Sequence, residues 1–190
     1  MESLQVLWNR LDQEGMDACR IRAADEGWAI EGTAVFGDDE NPVVNLSYRL
    51  LCESDWRTRG ADVHGWIGNR DWCLQITRRP DGIWMANDHP IDLTGGLLDV
   101  DLGFTPASNT NAIRRLDLGI GEKVETIAVW LDMADWTMKP LTQTYERLSL
   151  TVYAYESLQH GYKAELQVNT FGIVLDYPGL WKAERAIPCR

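Results

Sequence analysis

A chain of 190 residues, 45% hydrophobic and 25% charged, has an ordinary globular composition. It can bury about 70% of its unfolded surface, so a single domain over 1–190 is the simplest reading. Its 29 acidic against 18 basic residues leave a formal charge of −11, which argues against a broad nucleic-acid or anionic-membrane surface. No run reaches the roughly 18 apolar residues of a transmembrane helix. The acidic, polar start MESLQVLWNRLDQEG lacks the basic start and apolar core of a secretory leader, so the cytoplasm is expected. Cys19, Cys52, Cys73 and Cys189 are scattered, with no CxxC pair and no histidine at zinc spacing; neither a metal nor a cofactor is expected.

Taken in order, the chain is a series of short extended segments between turn signals. Asp17–Ala24 reads as a strand, and Trp28–Phe36 alternates Trp28, Ile30, Gly32, Ala34 and Phe36 against Ala29, Glu31, Thr33 and Val35. An acidic turn, Gly37–Pro42, leads to Val43–Glu53, where Val44, Leu46, Tyr48, Leu50 and Cys52 share a face. Glu53–Asp55 turns the chain into Trp56–Ile67, and Trp72–Arg79 pairs with Ile83–Met85 through Arg79–Gly82. Later come Val124–Met133, Tyr145–Glu156, Tyr162–Val168 and Gly172–Asp176. In Tyr145–Glu156, Leu148, Leu150, Val152 and Ala154 form an apolar face. Tyr145, Arg147, Ser149, Thr151, Tyr153 and Tyr155 form a polar, aromatic one. About ten to twelve strands at this spacing predict an all-β protein with minor α content, an antiparallel sheet bent over one core. The best helix candidate is one turn near Trp181–Arg185, and 186–190 read as a frayed end. With so little helix, the concave face of the sheet is expected to lack a helical cover.

The densest chemistry lies in Gly95–Leu118, GGLLDVDLGFTPASNTNAIRRLDL. If Leu97–Leu102 is extended, Asp99 and Asp101 lie on one face with Cα atoms about 6.6–6.8 Å apart. Two carboxylates so placed repel, and burial would raise their pKa values unless cations or amide donors compensate. A Pro-, Ser-, Asn- and Thr-rich turn separates them from Arg114 and Arg115, which a strand would point to opposite faces, so at most one could meet both acids.

The segments LLDVDLGFTPASNT and AIRRLDL resemble the signature of the bacterial putative glycolipid-binding protein family. The likeness continues in LSYRLLCESDWRTR (Leu46–Arg59), QTYERL (Gln143–Leu148) and GIVLDYPGLW (Gly172–Trp181), in order over nearly the whole chain. The resemblance implies a strongly curved antiparallel sheet, an open or split half-barrel like those of lipid and lipoprotein carriers. It also implies a non-enzymatic binder of an amphiphile such as a glycolipid. The chain departs from the family at two places. Pro106-Ala107-Ser108-Asn109-Thr110, then Asn111-Ala112, stand where the family has Pro-Phe-Thr-Asn-Thr, then Leu and Pro, and Asn169 replaces a late aspartate.

The candidate ligand residues are therefore Asp99, Asp101, Asn109, Thr110, Arg114, Arg115, Tyr145, Arg147 and Tyr153. Aromatic rings, hydroxyls and a cation suit an amphiphile with a sugar or phosphate head. A rival reading makes Asp99 and Asp101 the acid/base pair of a hydrolase or lyase, since glycosidase carboxyls sit roughly 5–9.5 Å apart. A second rival is a scaffold for a partner protein. His64, His89 and His160 lie far apart in sequence and no G-x-S-x-G elbow is present, so no nucleophilic catalyst is assigned.

Overall fold

The computed structural model describes residues 3–37, 42–93 and 96–189. The acidic turn expected at 37–42 therefore falls, over 38–41, outside the described residues, as do Gly95 and Arg190. Fifteen strands among the described residues form one sheet. The first eight are β1 (Ser3–Arg10), β2 (Glu14–Ala24), β3 (Gly27–Gly37), β4 (Val44–Cys52), β5 (Thr58–Ile67), β6 (Arg70–Arg78), β7 (Trp84–Ala86) and β8 (His89–Pro90). After β9 (Asp99–Leu102) comes a helix, α1 (Ser108–Leu116). The rest are β10 (Lys123–Asp132), β11 (Thr137–Arg147), β12 (Val152–Ser157), β13 (Tyr162–Val168), β14 (Val174–Tyr177) and β15 (Trp181–Cys189), with a 3₁₀ turn at Leu158–His160.

The sheet runs β8-β7-β6-β5-β4-β3-β2-β1-β15-β14-β13-β12-β11-β10-β9. Neighbours are antiparallel and consecutive in the chain, except that the first strand, β1, pairs antiparallel with the last, β15, and that β9 and β10 are parallel, because α1 carries the chain back between them. The sheet is large and curved and does not close into a barrel. Its curl brings the start of β5 to the segment entering β9, where Thr58 N donates to the Leu98 carbonyl (2.9 Å) and Val100 N to Thr58 Oγ1 (3.3 Å).

The alternation expected in β4 holds, with Val44, Leu46, Tyr48, Leu50 and Cys52 all buried. Around them Ile21, Ile30, Leu102, Leu131, Leu166 and Ile173 are fully buried and form a continuous core.

Four expectations are corrected. Trp181–Arg185 is not a helical turn and 186–189 are not frayed, because β15 pairs along its length with β1, from Arg10↔Trp181 to Ser3↔Cys189. Lys, Ala, Glu and Arg favour a helix in isolation, and the partner strand overrides that preference. The Tyr145–Glu156 segment is two strands joined by a turn, with Leu148 and Leu150 exposed at the turn. The faces are thus inverted: Tyr145, Tyr153 and Tyr155 are buried, and the leucines face outward.

The other two corrections concern α1. The polar run after β9 is a helix, not a turn, and it lies inside the curve, so the concave face does have a helical cover. Ser108, Asn109, Thr110 and Asn111 are poor helix formers, yet all four are buried. Tertiary hydrogen bonds hold them: Ser108 Oγ donates to Asp101 Oδ1 (3.1 Å), Asn109 Nδ2 to the Tyr145 hydroxyl (2.9 Å), and Asn111 Nδ2 to Thr58 Oγ1 (3.0 Å). Ahead of the helix, Thr105 Oγ1 accepts from Ala107 N (3.0 Å). It also donates to the Asp17 carboxylate, to which the Tyr48 hydroxyl donates at 2.8 Å. Gly32 leaves the space this hydroxyl occupies, since a Cβ there would collide with it. Burial pushes the Asp17 carboxyl up to about 6 against the lowering effect of both hydrogen bonds.

Candidate functional site

Both aspartates of β9 turn toward α1, but they have different partners. Asp99 is almost fully buried and takes a two-pronged ion pair from Arg115, with Nε to Oδ1 at 2.7 Å and Nη2 to Oδ2 at 2.5 Å. Arg115 Nη2 also donates to Thr126 Oγ1 (3.1 Å). This is a closed structural clamp tying α1 to β9 and β10. Because the arginines sit on a helix, not a strand, only Arg115 reaches an aspartate, and neither arginine meets both acids.

Asp101 is held by neutral groups instead. Gln143 Nε2 donates to its Oδ2 (2.6 Å) and Ser108 Oγ to its Oδ1 (3.1 Å). Burial pushes this carboxyl up to about 6, the two hydrogen bonds restrain the rise, and the nearby Asp99 adds to it. The same Gln143 nitrogen lies 2.9 Å from the Tyr155 hydroxyl.

Asp101 also lines a cavity of about 290 Å³, beside Asn109 and Pro106 at the N-terminal end of α1. The opposite wall is aromatic: Trp130 from β10, Tyr155 from β12, Tyr162 from β13, Tyr177 from β14 and Trp181 from β15. Ring centres lie 5.7 Å apart for Tyr155 and Tyr177, and 5.4 Å for Tyr162 and Tyr177; His160 stands edge-on to Trp130 at 4.6 Å. Ser157, buried in the same wall, has an Oγ with no hydrogen-bond partner. The cavity thus sets a hydroxyl without a partner and a carboxylate against flat aromatic rings.

Of the nine residues expected at the site, the cavity takes Asp101 and Asn109, with Tyr145 just behind the wall, its hydroxyl bonded to Asn109. Asp99 and Arg115 form the clamp, and Thr110 is fully buried in the helix. Arg114, Arg147 and Tyr153 gather at the other end of α1, around a separate and smaller cavity. The residues the sequence reading missed are Trp130, Ser157, His160, Tyr162, Tyr177 and Trp181. The alternation Tyr153, Tyr155, Ser157 was the available signal, had its polar face been taken as the inner one.

The structure is thus a curved, nearly all-sheet fold with a small aromatic-lined cavity beside α1. The chain belongs to the putative glycolipid-binding family, which matches it over residues 5–183. It is also similar to the crystal structure of a DUF1089 family protein from Pseudomonas aeruginosa. The two share 31% identity over 87% of this chain and 90% of that one, with a TM-score of 0.76. No curated protein matches the chain. No helix among the described residues is long and apolar enough to cross a membrane.

Asn169 Oδ1 accepts from the backbone N–H groups of Phe171 (3.0 Å), Gly172 (3.0 Å) and Ile173 (2.9 Å). An amide oxygen accepting three backbone N–H groups fixes the turn into β14, the work a carboxylate oxygen could also do.

Proposed function

We propose that the chain, acting as one domain, binds the polar head of an amphiphile, a glycolipid, in the aromatic cavity. The observation that carries this reading is the pairing of aromatic faces with unspent polar groups. Tyr155, Tyr162, Tyr177 and Trp130 offer faces to a sugar ring's C–H surface, while Asp101 and the unpartnered Ser157 hydroxyl face its O–H groups. At about 290 Å³ the cavity is at the small end of ligand pockets, roughly 300–1,000 Å³. It suits one sugar ring and leaves the acyl chain outside. The hydrolase reading fits this geometry less well. Asp99 is absent from the cavity wall and locked to Arg115, so a two-carboxylate mechanism would lack its second group.

The test is titration of detergent-free protein with single-chain glycosides of increasing chain length, followed by tryptophan emission, since Trp130 and Trp181 form the wall. Saturable binding is expected, weakened about tenfold or more by Asp101→Ala and by Tyr177→Ala. An organic extract of fresh protein should contain a glycolipid by mass spectrometry. A flat response to every glycoside, with a ligand-free extract, would overturn the reading.

A further inference from the structure

At the C-terminal end of α1 a second cavity, of about 40 Å³, lies between Arg114, Arg147, Tyr153 and the turn Asn169–Gly172. We infer that it is an oxyanion site, built for a phosphate group held between the guanidiniums of Arg114 and Arg147.

Among the described residues, both cations are fixed without an acidic partner. Arg114 stacks on two rings, its guanidinium carbon 4.9 Å from the Phe171 ring centre and 5.5 Å from that of Trp56. Its Nε is buried with no hydrogen-bond partner. Arg147 is held by backbone carbonyls, through Nη1 to Leu118 (2.7 Å), Nε to Ser149 (3.2 Å) and Nη2 to Leu150 (3.4 Å). It also lies 5.7 Å over the Tyr153 ring. Most other cations of this acidic chain have carboxylate partners; these two, lining one small space, do not. Two guanidiniums facing one cavity repel each other until an anion lies between them.

The rest of the wall supplies donors. Asn169 spends its Oδ1 on three backbone N–H groups, which leaves its amide Nδ2 for a ligand. Tyr153 and Thr170 add hydroxyls. The one acid in the wall is Asp117, an exposed residue at φ 43° that ends the helix. The carbonyl end of α1 disfavours an anion, and the charges of Arg114 and Arg147 oppose this. At about 40 Å³ the space admits a group little larger than a water, such as the oxygens of a small oxyanion entering from its open side, and excludes a sugar ring. Guanidinium meets such an anion with paired, charge-assisted hydrogen bonds. The phosphate could be free or the head of a lipid.

Calorimetric titration with inorganic phosphate, at fixed ionic strength and neutral pH, tests the assignment. Wild-type protein should bind one phosphate saturably. Arg114→Met keeps the apolar stack on Trp56 and Phe171 and removes the charge, and should weaken binding at least about tenfold. Asp117→Asn leaves a residue at ease in the left-handed conformation and should tighten binding by about two- to fivefold. A purely structural role for Arg114 would not give that gain. Dihexanoyl phosphatidate binding more tightly than phosphate, with the same dependence on Arg114, identifies a lipid head; equal affinities identify free phosphate. No saturable binding of either, or an isotherm that Arg114→Met leaves unchanged, overturns the proposal.

Discussion

The two arms of the sheet follow the same period-two rule and fill their interiors differently. Along β1–β8 the inward positions are mostly apolar, with Ile21, Ile30, Leu46, Leu50 and Ile76 fully buried. Along β9–β14 the inward set includes Asp99, Gln143, Tyr145, Tyr153, Tyr155 and Ser157. The first arm shields itself with hydrocarbon, which asks only for matching volume. The second must satisfy each buried polar group, and it does so by bringing in a polar helix. On α1 itself Thr110 Oγ1, Asn111 Oδ1 and Arg114 Nε stay without a partner, and on the strands of this arm Ser157 Oγ does so at the cavity. The first arm buries a few polar residues as well, Arg10, Asp17 and Thr58; of these Asp17, with Tyr48, reaches Thr105 just ahead of α1 and so stitches the arms together.

The sharpest way to separate the arms is to damage each. Leu46→Ala, in the fully buried apolar arm, should lower unfolding free energy by about 4 kcal/mol in urea titration. It should leave glycoside affinity intact in the fraction that stays folded. If that variant keeps its stability but loses binding, the division between a structural and a binding arm is wrong.

In the second arm, Asp99→Asn should destabilise by about 3 kcal/mol, because Arg115 keeps its charge in a mostly buried site. The pair Asp99→Leu with Arg115→Met should recover most of that loss. Failure to recover would mean that the clamp specifies the placement of α1 as well as neutralising charge. Asp101→Asn, by contrast, removes a carboxyl that is costly to ionise, and should leave the thermal midpoint at neutral pH level with wild type or above it.

The smallest effect is in pH. Asp17 and Asp101 are both pushed up to about 6 from an ordinary 3.8. A carboxyl with a raised native pKa binds more protons folded than unfolded, so its contribution is largest near pH 4 and falls as pH rises through 6. From pH 5 to 7 each should cost about 1 kcal/mol. Glu31, lowered to about 2 by its hydrogen bonds to Arg22 and Arg20, acts only in more acid solution and does not oppose this. Urea midpoints should therefore be higher at pH 5 than at pH 7, with the slope roughly halved in Asp17→Asn. A midpoint that rises with pH across this window would contradict the burial of these two acids.

The first arm was the more legible from sequence for the same physical reason. Apolar alternation in Val43–Glu53 shows which face is inside without any knowledge of partners. In Tyr145–Glu156 the same reasoning pointed the wrong way, because its tyrosine hydroxyls are met by Asn109, on a helix 36 residues before Tyr145, and by Gln143, on the paired strand. The helix was unreadable because its stability comes from Asp101, Tyr145 and Thr58, not from its own residues. β1 was masked by Arg10, an inward-facing arginine paired with Asp12 and stacked on Phe36 (4.4 Å) and Trp181 (5.2 Å). Of the candidate site, the D-x-D motif was found and its two roles were not, since one residue's spacing says nothing of which carboxylate an arginine will reach.

The pairing of β1 with β15 sets a condition on how the chain can be made. β1 gains β2 at once, but its other edge stays open until the residues from Trp181 onward have left the ribosome. At about 5–20 residues per second, that is on the order of ten to thirty seconds after β1 itself has emerged. For that time the nascent protein carries an unpaired strand edge, a template for pairing with another chain. A stalled or truncated product lacking β15 would keep that edge open for as long as it persisted.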